Sequence, residues 1–156
     1  GLLVHRSLMD DLAPRLISSL HEQGCELRGD AAFQALDSRV RPAQESDWGC
    51  EHLDAILSLR CVDGLTQAID YIHHYGSNHT DSIVSEDAEN VARFMAEIDS
   101  AIVMHNASTQ FADGAEFGMG AEIGIATGRM HARGPIGVAQ LTCYKYQVFG
   151  DGHCRK

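Results

Sequence analysis

Apolar and polar positions along this chain switch repeatedly between a period of two and a period near 3.6. Leu2-Leu-Val-His5 reads as a short buried strand. After Asp10-Asp11, residues Leu12, Leu16, Ile17 and Leu20 recur at helical spacing, with Pro14 tolerated only in a first turn, which predicts a helix from near Asp11 to Gly24. Cys25–Arg28 alternates like a strand, Asp30 stands where it caps a short helix through Leu36, and Pro42 interrupts any regular element beyond it. Ala43–Cys50 is polar and irregular; Ala55–Val62 is the strongest strand in the chain. Asp63 is placed to cap a helix with Leu65, Ala68, Ile69 and Ile72 on one face, stopped by Gly76. Asp81–Ser85 predicts a strand, Ser85 or Glu86 opens a helix with Ala88, Val91, Ala92 and Met95 inward, and Ala101–His105 is the next strand. Leu141–Phe149 alternates again and ends at Gly150, placing Cys143 in a final strand.

Strand and helix in this succession imply an α/β fold, a mostly parallel sheet flanked by helices with right-handed crossovers. In such sheets ligands sit beyond the carboxyl ends of strands, which is where the stretch after His105 begins. Asn106–Gly137 holds seven glycines in 32 positions, dense enough to point to close backbone approach or left-handed geometry in a surface loop. A flexible linker has the same glycine content, but Phe111, Phe117, Met119, Ile123, Ile125 and Met130 are interleaved here. That apolar mass predicts a loop that packs.

The length of 156 residues fits about one domain. A net charge of −10 with no basic cluster argues against binding nucleic acid through its phosphates. No apolar run is long enough to span a membrane, and no signal-peptide pattern opens the chain. Five cysteines, an odd number without C-x-x-C spacing, argue against a disulfide framework and for a reducing cytoplasm.

Several groups invite chemistry. Gly118-Met-Gly-Ala-Glu-Ile-Gly124 resembles a dinucleotide fingerprint, but its spacing is one residue too long, so glycines serving close packing are the favoured reading. The nine histidines show no zinc-ligand spacing, and no metal is expected. Cys61 and Cys143 fall in predicted strands and Cys25 lies between Gly24 and Glu26, so none is set up as an activated thiolate. Glu51 comes just before a buried strand, where a carboxylate is either simply solvated or aimed at a pair of hydroxyls.

Taken together, Asn106-Ala-Ser-Thr109, Phe111-x-Asp-Gly114, Phe117–Gly124 and His131-Ala-Arg-Gly-Pro135 resemble the γ-glutamyl phosphate reductases, a divergent branch of the aldehyde dehydrogenase superfamily. Leu2–His5, Asp47-Trp-Gly…Glu51, Ile72–Ile83 and Asp99-Ser-Ala101 extend the resemblance over essentially the whole chain. It implies a carboxy-terminal stretch of a catalytic domain that begins just after the nucleophilic cysteine, with most of the NADP site outside it. It also implies reduction of L-glutamyl 5-phosphate by NADPH to L-glutamate 5-semialdehyde and phosphate, in proline biosynthesis. By resemblance, Glu51 holds the ribose hydroxyls of the nicotinamide, while Leu53 replaces a phenylalanine that braces the ring. Asn106, Ser108 and Thr109 are the substrate-binding candidates, for the glutamyl end; Gln110 stands where many relatives have arginine and receives no role. Residues 1–141 then form the catalytic part with the 106–137 loop, and residues 142–156 an oligomerisation strand and tail through which a homo-oligomer forms. The competing reading is a non-enzymatic module that binds an amino acid or a protein through the 106–117 loop.

Overall fold

A computed structural model describes residues 1–152, 154 and 155 of the chain. Its principal sheet has four parallel strands in the order β1-β4-β2-β3: β1 (Leu2–His5), β2 (Glu26–Gly29), β3 (Arg41–Pro42) and β4 (Ile56–Val62). β4 is central, pairing Val4 with Cys61 on one side and Leu27 with Leu57 on the other. A second, two-stranded parallel sheet joins β5 (Thr80–Ile83) to β6 (Ile102–His105), and a third pairs β7 (Ile123–Ile125) antiparallel with β8 (Gly134–Ile136).

Helix α1 (Leu12–Glu22) turns Ala13 and Ile17 completely inward, with Leu16 and Leu20 beside them, as the apolar spacing requires. Gly24, at φ 81°, takes the left-handed conformation that ends the helix, and the Cys25 N–H returns to the Leu20 carbonyl at 3.1 Å. Helix α2 (Ala31–Leu36) is capped by Asp30, whose Oδ1 accepts from Ala32 and Phe33 N–H at 3.1 Å each. The other oxygen of Asp30 accepts the Cys61 N–H at 2.8 Å, so one carboxylate joins α2 to the central strand. Phe33, Ile17, Leu27 and Leu59 are the largest fully buried side chains, and with Val4, Met9, Val40 and Cys61 they form the main core. A smaller core lies between α3 (Leu65–Tyr75), α4 (Ala88–Glu97) and the β5–β6 pair, built on Ile69, Phe94 and Ile98 with Ile83 and Val103 against them.

Several expectations require correction. α3 starts from Gly64, not from an Asp63 cap; Asp63 pairs with Arg6 and gives its N–H to Gln67 Oε1 at 2.7 Å. α4 is capped by Asp87, and its inward face is Val91, Phe94 and Ile98, whereas Ala88, Ala92 and Met95 are exposed. The aromatic ring sets the helix phase because it offers the most area to bury. The oligomerisation strand implied by the resemblance is not among these corrections: Leu141–Phe149 has no ladder partner among the described residues, and Tyr144, Tyr146, Val148 and Phe149 are each more than four-fifths exposed. Cys143 is accordingly exposed. In the tail, His153 and Lys156 lie outside the described residues. Among the described residues no helix is long and apolar enough to cross a membrane.

Replacing Asp30 with alanine removes the α2 cap, worth about 0.5–2 kcal/mol, and orphans the Cys61 N–H at about 1–3 kcal/mol. A destabilisation of about 2–4 kcal/mol is therefore expected from urea unfolding of Asp30→Ala; a loss below about 1 kcal/mol would show that the bridge to β4 contributes nothing.

Candidate functional site

Two segments carry the candidate residues, one leading into β4 and one leaving β6. The first begins with a single helical turn, Glu45–Asp47, closed by the Asp47 Oδ2 accepting the Gln44 N–H at 2.7 Å. That N–H, and then the Arg28 guanidinium at 2.6 Å from Oδ1, hold the Asp47 carboxyl below the usual carboxylate range. The Asp47 carbonyl in turn accepts the buried Ser58 hydroxyl at 2.9 Å. With its proton committed there, the Ser58 oxygen is left to accept from His52 Nε2 at 3.2 Å. The backbone is thereby tied to β4 on both sides of Glu51.

The Glu51 side chain itself is exposed and makes no hydrogen bond or ion pair among the described residues. Leu53, two positions on, is 94% exposed at φ 51°. A left-handed leucine with its side chain in water gains nothing locally to offset its backbone cost of roughly 1 kcal/mol or more. An unpartnered carboxylate and an uncovered apolar side chain thus stand close together on a segment whose neighbours are fixed. A carboxylate in that state is an acceptor with two free oxygens, suited to a vicinal hydroxyl pair.

The second segment leaves β6 at His105, whose Nε2 lies 2.8 Å from the Ser85 carbonyl. Asn106 adopts φ 49°, a conformation asparagine tolerates better than most residues. Its Oδ1 accepts the Ser85 N–H at 3.0 Å and its Nδ2 donates to Glu86 at 3.2 Å, which stitches the exit of β6 to the exit of β5. Ser82 adds a bond to the Ala107 carbonyl at 2.8 Å. Ser108 caps the short turn Thr109–Phe111 by accepting the Gln110 N–H at 3.2 Å. Thr109 is exposed, with no hydrogen bond from its hydroxyl among the described residues. Asn106, Ser108 and Thr109 therefore follow one another at the strand ends, and among the described residues no bond links them to Glu51.

Beyond that turn the glycine-rich loop behaves differently from expectation. Gly134–Ile136 is buried, but Phe111, Phe117, Met119 and Ile123 are exposed and Met130 is completely so. Of the interleaved apolar residues only Ile125 is half-buried among the described residues. The loop is instead returned to the body by Asp99, which binds Arg129 at 2.5 Å and Arg133 at 2.7 Å and offers its carbonyl to Arg133 at 2.6 Å. Those two cations hold the Asp99 carboxyl below its ordinary value, Arg133 first. At Gly124 a Cβ would lie 2.9 Å from His79 Nε2, a buried atom with no hydrogen-bond partner among the described residues, so a side chain there would have to displace the imidazole. These ties were missed from the sequence, although both Asp99 and Arg133 fall in segments that carry the resemblance.

Among the described residues no group of three or more His, Cys, Asp and Glu side chains gathers as metal ligands. Of the cysteines, Cys61 is buried and desolvation pushes its thiol up, away from nucleophilic use; Cys25 is half-buried and Cys50, Cys143 and Cys154 are exposed.

No protein-family profile matches the chain. Curated relatives do: the chain is 61% identical to the γ-glutamyl phosphate reductase of Nitrobacter winogradskyi and 60% identical to that of Methylobacterium sp. strain 4-46. Each match covers 99% of this chain and 36% of the relative, so the chain spans about a third of the length of the proteins it matches. Among solved structures, the γ-glutamyl phosphate reductase of Thermotoga maritima is 43% identical with a TM-score of 0.90, over 99% of this chain and 37% of that one. That of Saccharomyces cerevisiae is 27% identical with a TM-score of 0.53 over 69% of this chain and 29% of its own. Over nearly its whole length, and on a parallel α/β framework that superposes closely, this chain is similar to about a third of the γ-glutamyl phosphate reductases.

Proposed function

We propose that the chain is part of a cytoplasmic oxidoreductase that reduces L-glutamyl 5-phosphate with NADPH to L-glutamate 5-semialdehyde and phosphate. The observation that carries this reading is Glu51: a free, exposed carboxylate on a segment tied to β4, in the position where the superfamily holds the nicotinamide ribose. Its chemistry fits that group, since an ionised carboxylate accepts from two adjacent hydroxyls without needing a donor of its own. The nicotinamide, when bound, supplies the hydride.

The chain's own residues bind and orient. Glu51 takes the ribose hydroxyls, and Leu53 offers apolar surface beside them. At the end of β6, Thr109 has a free hydroxyl, Ser108 still has its proton to donate and Asn106 a second amide N–H, a donor set suited to the carboxylate at the glutamyl end of the substrate. Residues 1–141 belong to the catalytic part, and 142–156 form an arm that pairs with another copy in a homo-oligomer. Neither nucleic acid nor membrane is a partner, and no observation favours a non-enzymatic module.

The isolated chain should show no oxidation of glutamate semialdehyde with NADP and phosphate in a spectrophotometric assay, because none of its cysteines has the surroundings of a nucleophile. Turnover by the chain alone would overturn the division of the site.

In the full-length reductase, Glu51→Ala should raise KM for NADPH about ten- to a hundredfold, since a hydrogen bond to a charged group contributes roughly 1.5–3 kcal/mol. Unchanged kinetics would remove Glu51 from the cofactor site.

A full-length variant with Cys25, Cys50, Cys61, Cys143 and Cys154 all replaced by alanine, shown folded by circular dichroism, should still form the acyl-enzyme. Loss of the covalent species, seen by mass spectrometry, would place the nucleophile among these five.

A further inference from the structure

Arg60 projects from β4 into an aromatic enclosure. Its guanidinium carbon lies 5.2 Å from the ring centroid of Trp48 and 5.2 Å from that of Tyr71. Trp48 and Tyr71 meet edge-on at 6.3 Å, and Tyr71 lies against Tyr75 at 4.8 Å. The Tyr71 hydroxyl donates to the Trp48 carbonyl at 3.0 Å, and the Tyr75 hydroxyl bonds to Glu45. Burial pushes the Tyr71 hydroxyl up to about 12, so it remains a donor at any physiological pH. Both ends of the Glu45–Trp48 turn are thus fastened to α3, with a planar, weakly hydrated cation filling the space between the rings.

Only Gly49 and Cys50 separate Trp48 from Glu51. Gly49 has no side chain to anchor and Cys50 is exposed, so neither fixes the segment. The backbone of Glu51 takes its place from Trp48 before it and from the His52–Ser58 contact after it.

We propose that Arg60, through its stack with Trp48 and Tyr71, is a positioning residue that sets the aim of Glu51 and thereby the affinity for the nicotinamide cofactor, which it does not itself touch. This rests on the assignment of Glu51 to the ribose. A purely structural Arg60 would lower stability and depress every kinetic constant together. A positioning Arg60 acts on cofactor affinity alone, and only while Glu51 is present.

The test is a fluorescence titration of the full-length reductase with NADPH, with steady-state kinetics alongside, for Arg60→Met, Glu51→Ala and the double variant. Arg60→Met is expected to weaken Kd about tenfold, short of the hundredfold that a 1 Å misplacement can cost, with kcat at saturating NADPH unchanged. The double variant should bind no more weakly than Glu51→Ala. Arg60→Lys keeps the charge without the planar face, should fall between wild type and Arg60→Met, and decides the matter where the methionine variant does not fold. An unchanged Kd in a folded Arg60 variant, or a double variant that loses the product of the two single effects, overturns the inference while leaving Glu51 in the site. An unchanged Kd in Glu51→Ala overturns the Glu51 assignment and the inference with it.

Discussion

Everything at the candidate cofactor site depends on two polar residues on a strand that is buried on both faces. Strands in the middle of parallel sheets are usually apolar throughout, because helices cover both sides. On β4 the odd positions Leu57, Leu59 and Cys61 obey that rule and enter the main core. Ser58 and Arg60, on the opposite face, do not. A buried hydroxyl and a half-buried guanidinium must be satisfied where they stand, since an unpaired polar group there costs about 1–3 kcal/mol. The sheet answers by covering that face with the Asp47–His52 segment: the Asp47 carbonyl and the His52 ring meet Ser58, and the Trp48 ring meets Arg60. The obligation of two side chains to find partners thus decides where the chain runs before it enters β4, and so where Glu51 emerges.

The second segment is organised by a similar economy at strand ends. Two parallel strands finish side by side and leave carbonyls and N–H groups that no further ladder can use. Asn106 meets one of these N–H groups, accepting from Ser85 while its amide donates to the neighbouring Glu86 carboxylate, at the cost of a left-handed backbone that its short side chain makes tolerable. This leaves the next hydroxyls, on Ser108 and Thr109, at the surface on a turn of known direction. The three polar residues look equivalent in the sequence; in the fold they are a hinge and two presented groups.

Much of this was legible in the sequence where local chemistry suffices. Asp30 as a cap, Gly24 as a helix stop and a strand over Ala55–Val62 each depend on a few neighbouring residues, and each is found, the strand one residue shorter. The failures share a cause. The two-residue β3 and the β7–β8 pair have too few residues to show a period, and exist because a partner strand lies alongside. Leu141–Phe149, by contrast, has the period, and no ladder partner for it lies among the described residues. The phase of α4 went to Phe94 over Met95, which no count of apolar residues predicts when both are apolar. At the candidate site, Glu51 is singled out by resemblance alone, whereas the Arg60 stack joins residues twelve and eleven positions apart that no local pattern connects.

The same geometry sets the surroundings of the cysteines apart from those of Glu51. A reactive thiolate needs a neighbouring cation, a base or a helix N-terminus to stabilise its charge. Cys61 has the opposite surroundings: it is buried, its backbone N–H is given to Asp30, and desolvation is the dominant influence on its thiol. No cysteine thiol is within hydrogen-bonding distance of a histidine, lysine or arginine among the described residues. Glu51 differs in being held without being used. Trp48 before it and His52 after it make contacts with β4 and α3, and its own carboxylate makes none among the described residues. A side chain left free on a backbone that is tightly held loses little further conformational entropy when a ligand binds it, and such preorganisation raises affinity without any additional contact.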